Sequence, residues 1–304
     1  MSDKTEQPAT RTIRFPEEQS IGQLYMTPHW ERWKEVLNSP EPIAPIEARG
    51  EITISHGEKI SLKVSNEASK KLAWLSLLRS EDLAQLDLSE TPVSDDQLAY
   101  AAHLAGLESL KLNNTKITDA GLIHLRTLTA LWELEIEGTR IADTGLSHLQ
   151  RLSTLQRLKL SSSKITDEGL TYLQGLAELH TLYLNLTKVG DNGLQRLQKL
   201  TSLITLELEG TRVTDLGLAY LEGLEELRTL SLTNTKVSDR GLSHLTILPN
   251  LHVLDLENTE ITDAGLELVA ELKTIEELYL KGTKVSEEAV RQFSRMLPGC
   301  YVDT

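Results

Sequence analysis

The sequence predicts an α/β solenoid with a parallel β-sheet on one face and helices on the other, and three observations predict it. A 24-residue unit recurs in register nine times, starting at Leu83, Leu107, Leu131, Leu155, Leu179, Leu203, Leu227, Leu251 and Ile275. Each copy reads L-x-x-L-x-L-x-x-T-x-I/V-T/S-D-x-G-L-x-x-L-x-x-L-x-x. Within it, apolar residues alternate at positions 4 and 6, as on the buried face of a strand. They then recur at positions 16, 19 and 22, the spacing of one helix face. A fixed period of this kind stacks supersecondary units along one continuous core, so the 304 residues form a single elongated body and not two ordinary domains.

Taken in order, residues 1–20 are polar, carry Pro8 and Pro16, and read as a flexible segment, at least to Thr10. In 21–50, Trp30, Trp33, Val36 and Leu37 fit one face of a short helix over Pro28–Ser39, and Pro40, Pro42 and Pro45 impose an extended connector. Residues 51–82 read as an N-terminal cap. Ile52 and Ile54, then Ile60, Leu62 and Val64, alternate as a β-hairpin turning near His56-Gly57. Ser65 then caps a helix whose apolar face is Ala68, Leu72, Leu75 and Leu78. Such a cap covers the open edge that a first repeat would leave. The nine repeats fill 83–298. In the last, Ala289, Val290, Phe293 and Met296 replace the usual glycine and leucines, as suits the closing of a core. The segment 297–304 is expected to form a capping strand in which Leu297, Cys300 and Val302 repeat L-x-x-L-x-L, making Cys300 a small buried hydrophobe.

The columns of the repeat divide by duty. Position 11 is β-branched in every copy, from Val93 to Val285, as an extended segment prefers. Position 12 is Thr, Ser, Gly or, once, Ala142; Asp follows at 13 in eight copies, Asp95 to Asp263, and fits the first turn of a helix better than a calcium ladder. Glycine at 15, from Gly121 to Gly265, allows helix and strand to approach. The hydroxyl at position 9, Thr in eight copies and Ser163 in one, is expected to build a hydrogen-bonded ladder from unit to unit. Position 10 is basic in seven copies, Lys116, Arg140, Lys164, Lys188, Arg212, Lys236 and Lys284. Neutralisation by the nearby Asp column explains it most simply, and a grip on an anionic partner is the sharper possibility. His124, His148 and His244 share position 18 with tyrosines, a poor pattern for zinc.

The L-x-x-L-x-L core at this period identifies the chain as a leucine-rich repeat solenoid. The run TKITDAGLIHL, Thr115 to Leu125, resembles the helical half of the cysteine-containing (RNI-like) leucine-rich repeats, and most of all the bacterial 24-residue repeats with threonine at the ladder position. The closing LPGC resembles their ends, and the resemblance runs from 83 to about 302. It implies a right-handed curved solenoid, with a parallel β-sheet on the concave face, helices on the convex face, and a partner held on the concave side. In eukaryotes many relatives follow an F-box and select substrates for ubiquitin ligases; residues 1–60 contain no F-box-like helical segment.

Composition narrows the function. A net charge of −14 argues against nucleic acid and against anionic membrane surfaces. The single cysteine suits a reducing compartment, and the N-terminus lacks the apolar stretch of a signal peptide, so a cytoplasmic monomer is expected. No nucleophile–base set or phosphate-binding glycine loop stands outside the repeat pattern, which gives no enzyme, no cofactor and no metal. The expected role is a non-enzymatic protein–protein interaction scaffold, the alternative being the substrate-recognition module of a ubiquitin-type or other modifying-enzyme complex. Outward strand positions 2, 3, 5, 7 and 8 carry the variation. They nominate Trp132, Glu135, Glu137, His180, Tyr183, Asn185, Leu186, Ile204, Glu207, Glu209, Asp255 and Tyr279 as partner-binding residues. Trp132 could instead pack along the sheet. The carboxylates favour a basic or mixed-charge protein partner.

Overall fold

The structure, a computed structural model, describes residues 10–27, 45–55 and 57–304. The chain divides into two compact units, Met1–Leu131 and Trp132–Thr304. The helix expected over Pro28–Ser39 and the connector as far as residue 44 lie outside the described residues.

The first unit contains strands β1 (Thr10–Arg14), β2 (Gly22–Thr27), β3 (Ile46–Glu47), β4 (Glu51–Ser55), β5 (Lys59–Val64), β6 (Gln85–Asp87) and β7 (Ser109–Lys111). Residues 10–20 are not a loose tail. β1 pairs antiparallel with β4, and Ile13, Phe15 and Ile21 are buried. The expected hairpin of β4 with β5 does not form. The chain turns after Ser55, where the Glu58 N–H donates to the Ser55 carbonyl (3.2 Å), and the two strands then enter different sheets. β4 stays with β1, whereas β5 pairs antiparallel with β2 and parallel with β6. β5 is therefore the junction at which an antiparallel cap becomes the parallel repeat sheet. Its residues Ile60, Leu62 and Val64 face a core that begins before the first repeat. The helix expected after Ser65 is two short 3-10 turns, Ala68–Lys70 and Leu72–Leu77, which bury Ala68, Leu72 and Leu75.

In the second unit the strands β8 (Glu133–Glu135), β9 (Arg157–Lys159), β10 (Thr181–Tyr183), β11 (Thr205–Glu207), β12 (Thr229–Ser231), β13 (Val253–Asp255), β14 (Glu277–Tyr279) and β15 (Tyr301–Asp303) run parallel and in sequence order. Registers advance by 24 residues, as in Leu182↔Leu206 and Leu206↔Leu230. Beyond each strand the ladder continues. The position 6 N–H donates to the position 5 carbonyl of the next copy, as Leu184 does to Glu207 (2.9 Å), and the position 8 N–H to the position 7 carbonyl, as Leu186 does to Glu209 (2.7 Å). The return segments are short: single turns such as Asp215–Leu218, 3-10 turns such as Gly169–Leu173, and seven-residue helices at Asp191–Leu197 and Asp263–Val269, the longest among the described residues being Glu287–Met296. A 24-residue unit that spends its first half on a strand and its exit has little left for helix, and short runs tighten to 3-10 geometry. The leucines at positions 1, 4, 6, 16, 19 and 22 are buried throughout the middle copies, one solvent-excluded column after another.

At the far end the capping strand exists, in a different register. Val302 pairs opposite Leu278 at position 4, which puts Cys300 at position 2 and not among the core residues. Cys300 is half-buried, its Sγ 3.4 Å from the Tyr301 carbonyl, and partial burial with the Glu277 charge pushes its thiol pKa up. The L-x-x-L-x-L spacing from Leu297 is met two residues too early, and the turn at Pro298-Gly299 restores the 24-residue period.

Two columns have chemistry other than expected. The position 13 carboxylate reaches forward: Asp191 Oδ1 accepts the Thr214 N–H (2.8 Å) and Oδ2 accepts the Thr214 hydroxyl (2.7 Å). Asp215 holds Ser238 in the same way, and Asp239 holds Thr262. The hydroxyl meanwhile accepts the N–H two residues on, from Leu216 (3.4 Å) and Ala264 (3.3 Å), so the helix cap is the residue at position 12, and Asp is a clamp between copies. This clamp also explains the glycine at 15, since a Cβ on Gly217 would stand 2.5 Å from Asp191 Oδ1, and one on Gly241 2.7 Å from Asp215 Oδ1. The threonine at position 9 does not link unit to unit. Its hydroxyl donates back to the position 6 carbonyl of its own copy, at 2.6 Å for Thr187, Thr211 and Thr235. Ser163 breaks the column, for its buried Oγ has no hydrogen-bond partner.

Candidate partner-binding face

Strand side chains alternate, so positions 3, 5 and 7 stand on the sheet face opposite the leucine core. All twelve residues nominated from sequence belong to the second unit. The structure gathers them on this face and its rim but gives them unequal freedom.

Over β8–β10 the charges satisfy one another. Glu133 and Glu135 are both buried, at 2% and 5% exposure. Arg157 Nη1 lies 2.8 Å from Glu133, and Lys159 Nζ 3.2 Å from Glu135, each from the neighbouring strand at the same position. The same two cations cover aromatic rings: the Arg157 guanidinium is 5.6 Å from the Trp132 ring centre, and Lys159 Nζ is 5.3 Å from that of Tyr183. Trp132 and Tyr183 are half-buried in this lattice. Glu135 is thus a packed structural acid and not a free contact residue. Arg157 and Lys159 went unnominated, although their place one period after Glu133 and Glu135 was the available signal.

From β11 onward the pattern changes. The position 5 row continues Tyr183, Glu207, Ser231, Asp255, Tyr279. Among the described residues no cation pairs with Glu207, Glu209 or Asp255. Glu207 has its pKa raised, first by burial and further by the charges of Asp255 and Glu209, while a hydrogen bond from Asn185 opposes the shift. Asn185 Oδ1 also accepts the Glu209 N–H (2.8 Å), and Ser231 Oγ lies 3.4 Å from Asp255 Oδ2. Tyr279 donates its hydroxyl to Glu277 (2.7 Å), which pushes its pKa up to about 12, and meets Tyr301 edge to face with ring centres 6.2 Å apart. Ile204 and His180 are half-buried at position 2, and Glu137 is half-buried at position 7.

Leu186 stands apart. Position 8 has positive φ in every copy, and the residues there are mostly Asn and Gly, with Glu90 and Ser162. Leu186 adopts φ 57° and is 59% exposed. A leucine in that conformation is strained by roughly 1 kcal/mol. Its Cδ2 leans over Gly210, where a Cβ would come within 2.7 Å. The Asn/Gly composition of the column was the unread signal for its backbone shape.

Among the described residues, no ion pair joins the carboxylates of Asp143, Asp167, Asp191, Asp215, Asp239 or Asp263 to the position 10 cations. Those carboxylates are taken up by position 12, and the ion pair within the row is Lys284 with Glu260. Among the described residues no group of three or more His, Cys, Asp or Glu is placed to hold a metal, and no helix is long and apolar enough to cross a membrane.

Comparison with known proteins agrees with this architecture. A leucine-rich repeat family model matches residues 151–173 and 248–270. An internalin C2 of Listeria monocytogenes is similar at 30% sequence identity and a TM-score of 0.55, over 70% of this chain and 84% of that one. A leucine-rich repeat protein of Leptospira interrogans has the same fold at 20% identity and a TM-score of 0.55, over 76% of this chain and 62% of that one. No curated protein matches. With its period, its parallel ladder and its buried leucine columns, the chain belongs to the leucine-rich repeat proteins.

Proposed function

We propose that this protein is a non-enzymatic scaffold that binds a protein partner on the open strand face of its second unit, between β10 and β14. The observation that carries the proposal is the contrast along that face. Charges over β8–β10 are neutralised internally, whereas Glu207, Glu209 and Asp255 are held close together without a cation. Lysines or arginines of a partner would supply what the fold withholds, by steering and by local pairing. Leu186, Ile204 and Tyr279 offer apolar and aromatic contact beside the carboxylates, as binding centres do. Glu137, His180, Asn185 and Tyr183 form the flank; Trp132 and Glu135 serve packing. In this reading the scaffold acts as a monomer in the cytoplasm, where the single Cys300 stays reduced.

The test compares partner capture by the wild type, by a Glu207→Lys/Asp255→Lys variant, and by a Glu225→Lys/Glu226→Lys control in the exposed turn that precedes β12. Specific partners should be lost from the first variant and kept by the control. Equal capture by all three, or equal loss from both variants, would refute the strand-face site.

A further inference from the structure

We propose that Arg140, Lys164, Lys188, Arg212 and Lys236 form a second docking line, separate from the strand face, which takes a short acidic polypeptide segment. These five residues occupy position 10 of consecutive copies in the second unit, and all are exposed. Their backbone is fixed by its own ladder. The N–H at position 10 donates to the position 11 carbonyl of the preceding copy, as Lys164 to Ile141 (2.9 Å), Lys188 to Ile165 (2.9 Å) and Arg212 to Val189 (2.7 Å). Parallel bridges link Gly190 with Arg212 and Thr214 with Lys236. The backbone positions that carry the cations therefore stand at strand spacing, about 4.8 Å apart, in a line about 19 Å long.

A row of like charges anchored at that pitch repels itself, and a counter-charge stabilises it. The Asp column is engaged elsewhere: each carboxylate oxygen of Asp191, Asp215 and Asp239 accepts a bond from the next copy, and among the described residues none of the three forms an ion pair with the row. The row shows what satisfies it where it ends. Glu260 replaces the cation at position 10, and Lys284 of the following copy pairs with it. A carboxylate at repeat spacing fits the row, and a partner presenting several would extend the same contact to the five cations before Glu260.

The surroundings select the kind of polyanion. The residues on either side of the cations, at positions 9 and 11, are buried Thr, Ser, Ile and Val, so no aromatic ring is interleaved to stack a base. A long polyanion would overrun the line onto a molecule whose net charge is −14, beginning with Glu260. A run of six or seven acidic residues, extended at about 3.3 Å each, covers the line without leaving it.

The experiment uses the full chain and a fluorescein-labelled hexaglutamate peptide, followed by anisotropy at low and moderate salt. Three proteins are compared: the wild type, a Lys164→Glu/Lys188→Glu/Arg212→Glu reversal, and a Lys164→Arg/Lys188→Arg conservative variant, with circular dichroism confirming that each is folded. The wild type and the conservative variant should bind alike, and the reversal should weaken binding by about tenfold or more. Salt should weaken the wild type far more than the reversal. Absence of wild-type binding at low salt, or undiminished binding by the folded reversal, would overturn the docking line. Inorganic polyphosphate or oligothymidylate displacing the peptide at tenfold lower concentration would overturn the acidic-peptide assignment.

Discussion

The strand face of the second unit carries two different economies of charge on one backbone. Over β8–β10, acids and bases of neighbouring copies are matched pair by pair, and the aromatic rings lie beneath the cations. Over β11–β14, backbone and leucines are the same, yet among the described residues Glu207, Glu209 and Asp255 form no ion pair with a base, and burial with the neighbouring acids raises the pKa of Glu207. Since the ladder is common to both, the difference teaches that the scaffold tolerates either pattern, and that side chains on this face are free to serve something other than folding.

That comparison breaks most visibly at Arg157. Arg157→Ala removes the cation from an acid that is 2% exposed and should cost about 3 kcal/mol in urea unfolding, as loss of one partner of a buried pair does. Asp255→Ala in the other half should cost far less, because no cation depends on it. The clamps supply a control, since they repeat in both halves. Asp143 and Asp239 each accept two bonds from position 12 of the next copy, and replacing either by Ala should cost about 2 kcal/mol, to a similar degree. Unequal costs would mean that the halves differ in more than their surface. At Leu186 the sign reverses. Leu186→Asn relieves a left-handed leucine and should stabilise by about 0.5 kcal/mol while weakening partner capture, whereas Asn234→Leu should destabilise. The smallest effect belongs to Glu207→Gln. A carboxyl whose pKa is raised by folding destabilises the fold increasingly as pH rises through its titration. The variant should therefore gain about 0.5 kcal/mol or less at pH 7, discounted for partial exposure, and nothing at a pH low enough to protonate the wild type. Thermal melts across pH 3–8 (on the order of six points) follow both curves.

Much of this was legible because a period was present. Every core leucine announced its place, and the alternation at positions 4 and 6 named the inner face. What the sequence could not settle was which atoms meet across copies. Aspartate at a helix start fits a cap and a clamp equally well on paper, and only the stacking brings Asp191 to Thr214, with Gly217 making room for it. Alternation at Ile52 and Ile54 marked a strand without naming its partner, which proved to be β1, in a segment whose polar residues suggested a loose tail. The candidate site divided the same way. The outward positions were correct as geometry, but Glu135 was already spoken for by Lys159, a residue one period away. Position 8 was the most instructive omission, since its Asn and Gly residues encoded a left-handed turn in every copy and made Leu186 the exception worth noticing.

The forward clamp also sets where the stack comes apart. Position 12 lacks a hydroxyl at Ala142 and at Gly190; of the clamps whose aspartate lies in the second unit, only the one to Gly190 lacks it, and there Asp167 holds the next copy by one backbone N–H alone (2.6 Å). That joint is a seam. Breathing of the second unit should begin there, so that amide exchange around Gly190 outruns that around Thr214 and Thr262. A Cβ at Gly190 would meet nothing nearer than 3.5 Å, so Gly190→Ser has room to supply the missing hydroxyl and close the seam. A molecule built from near-identical parts thus has, in one glycine, a designated place to open.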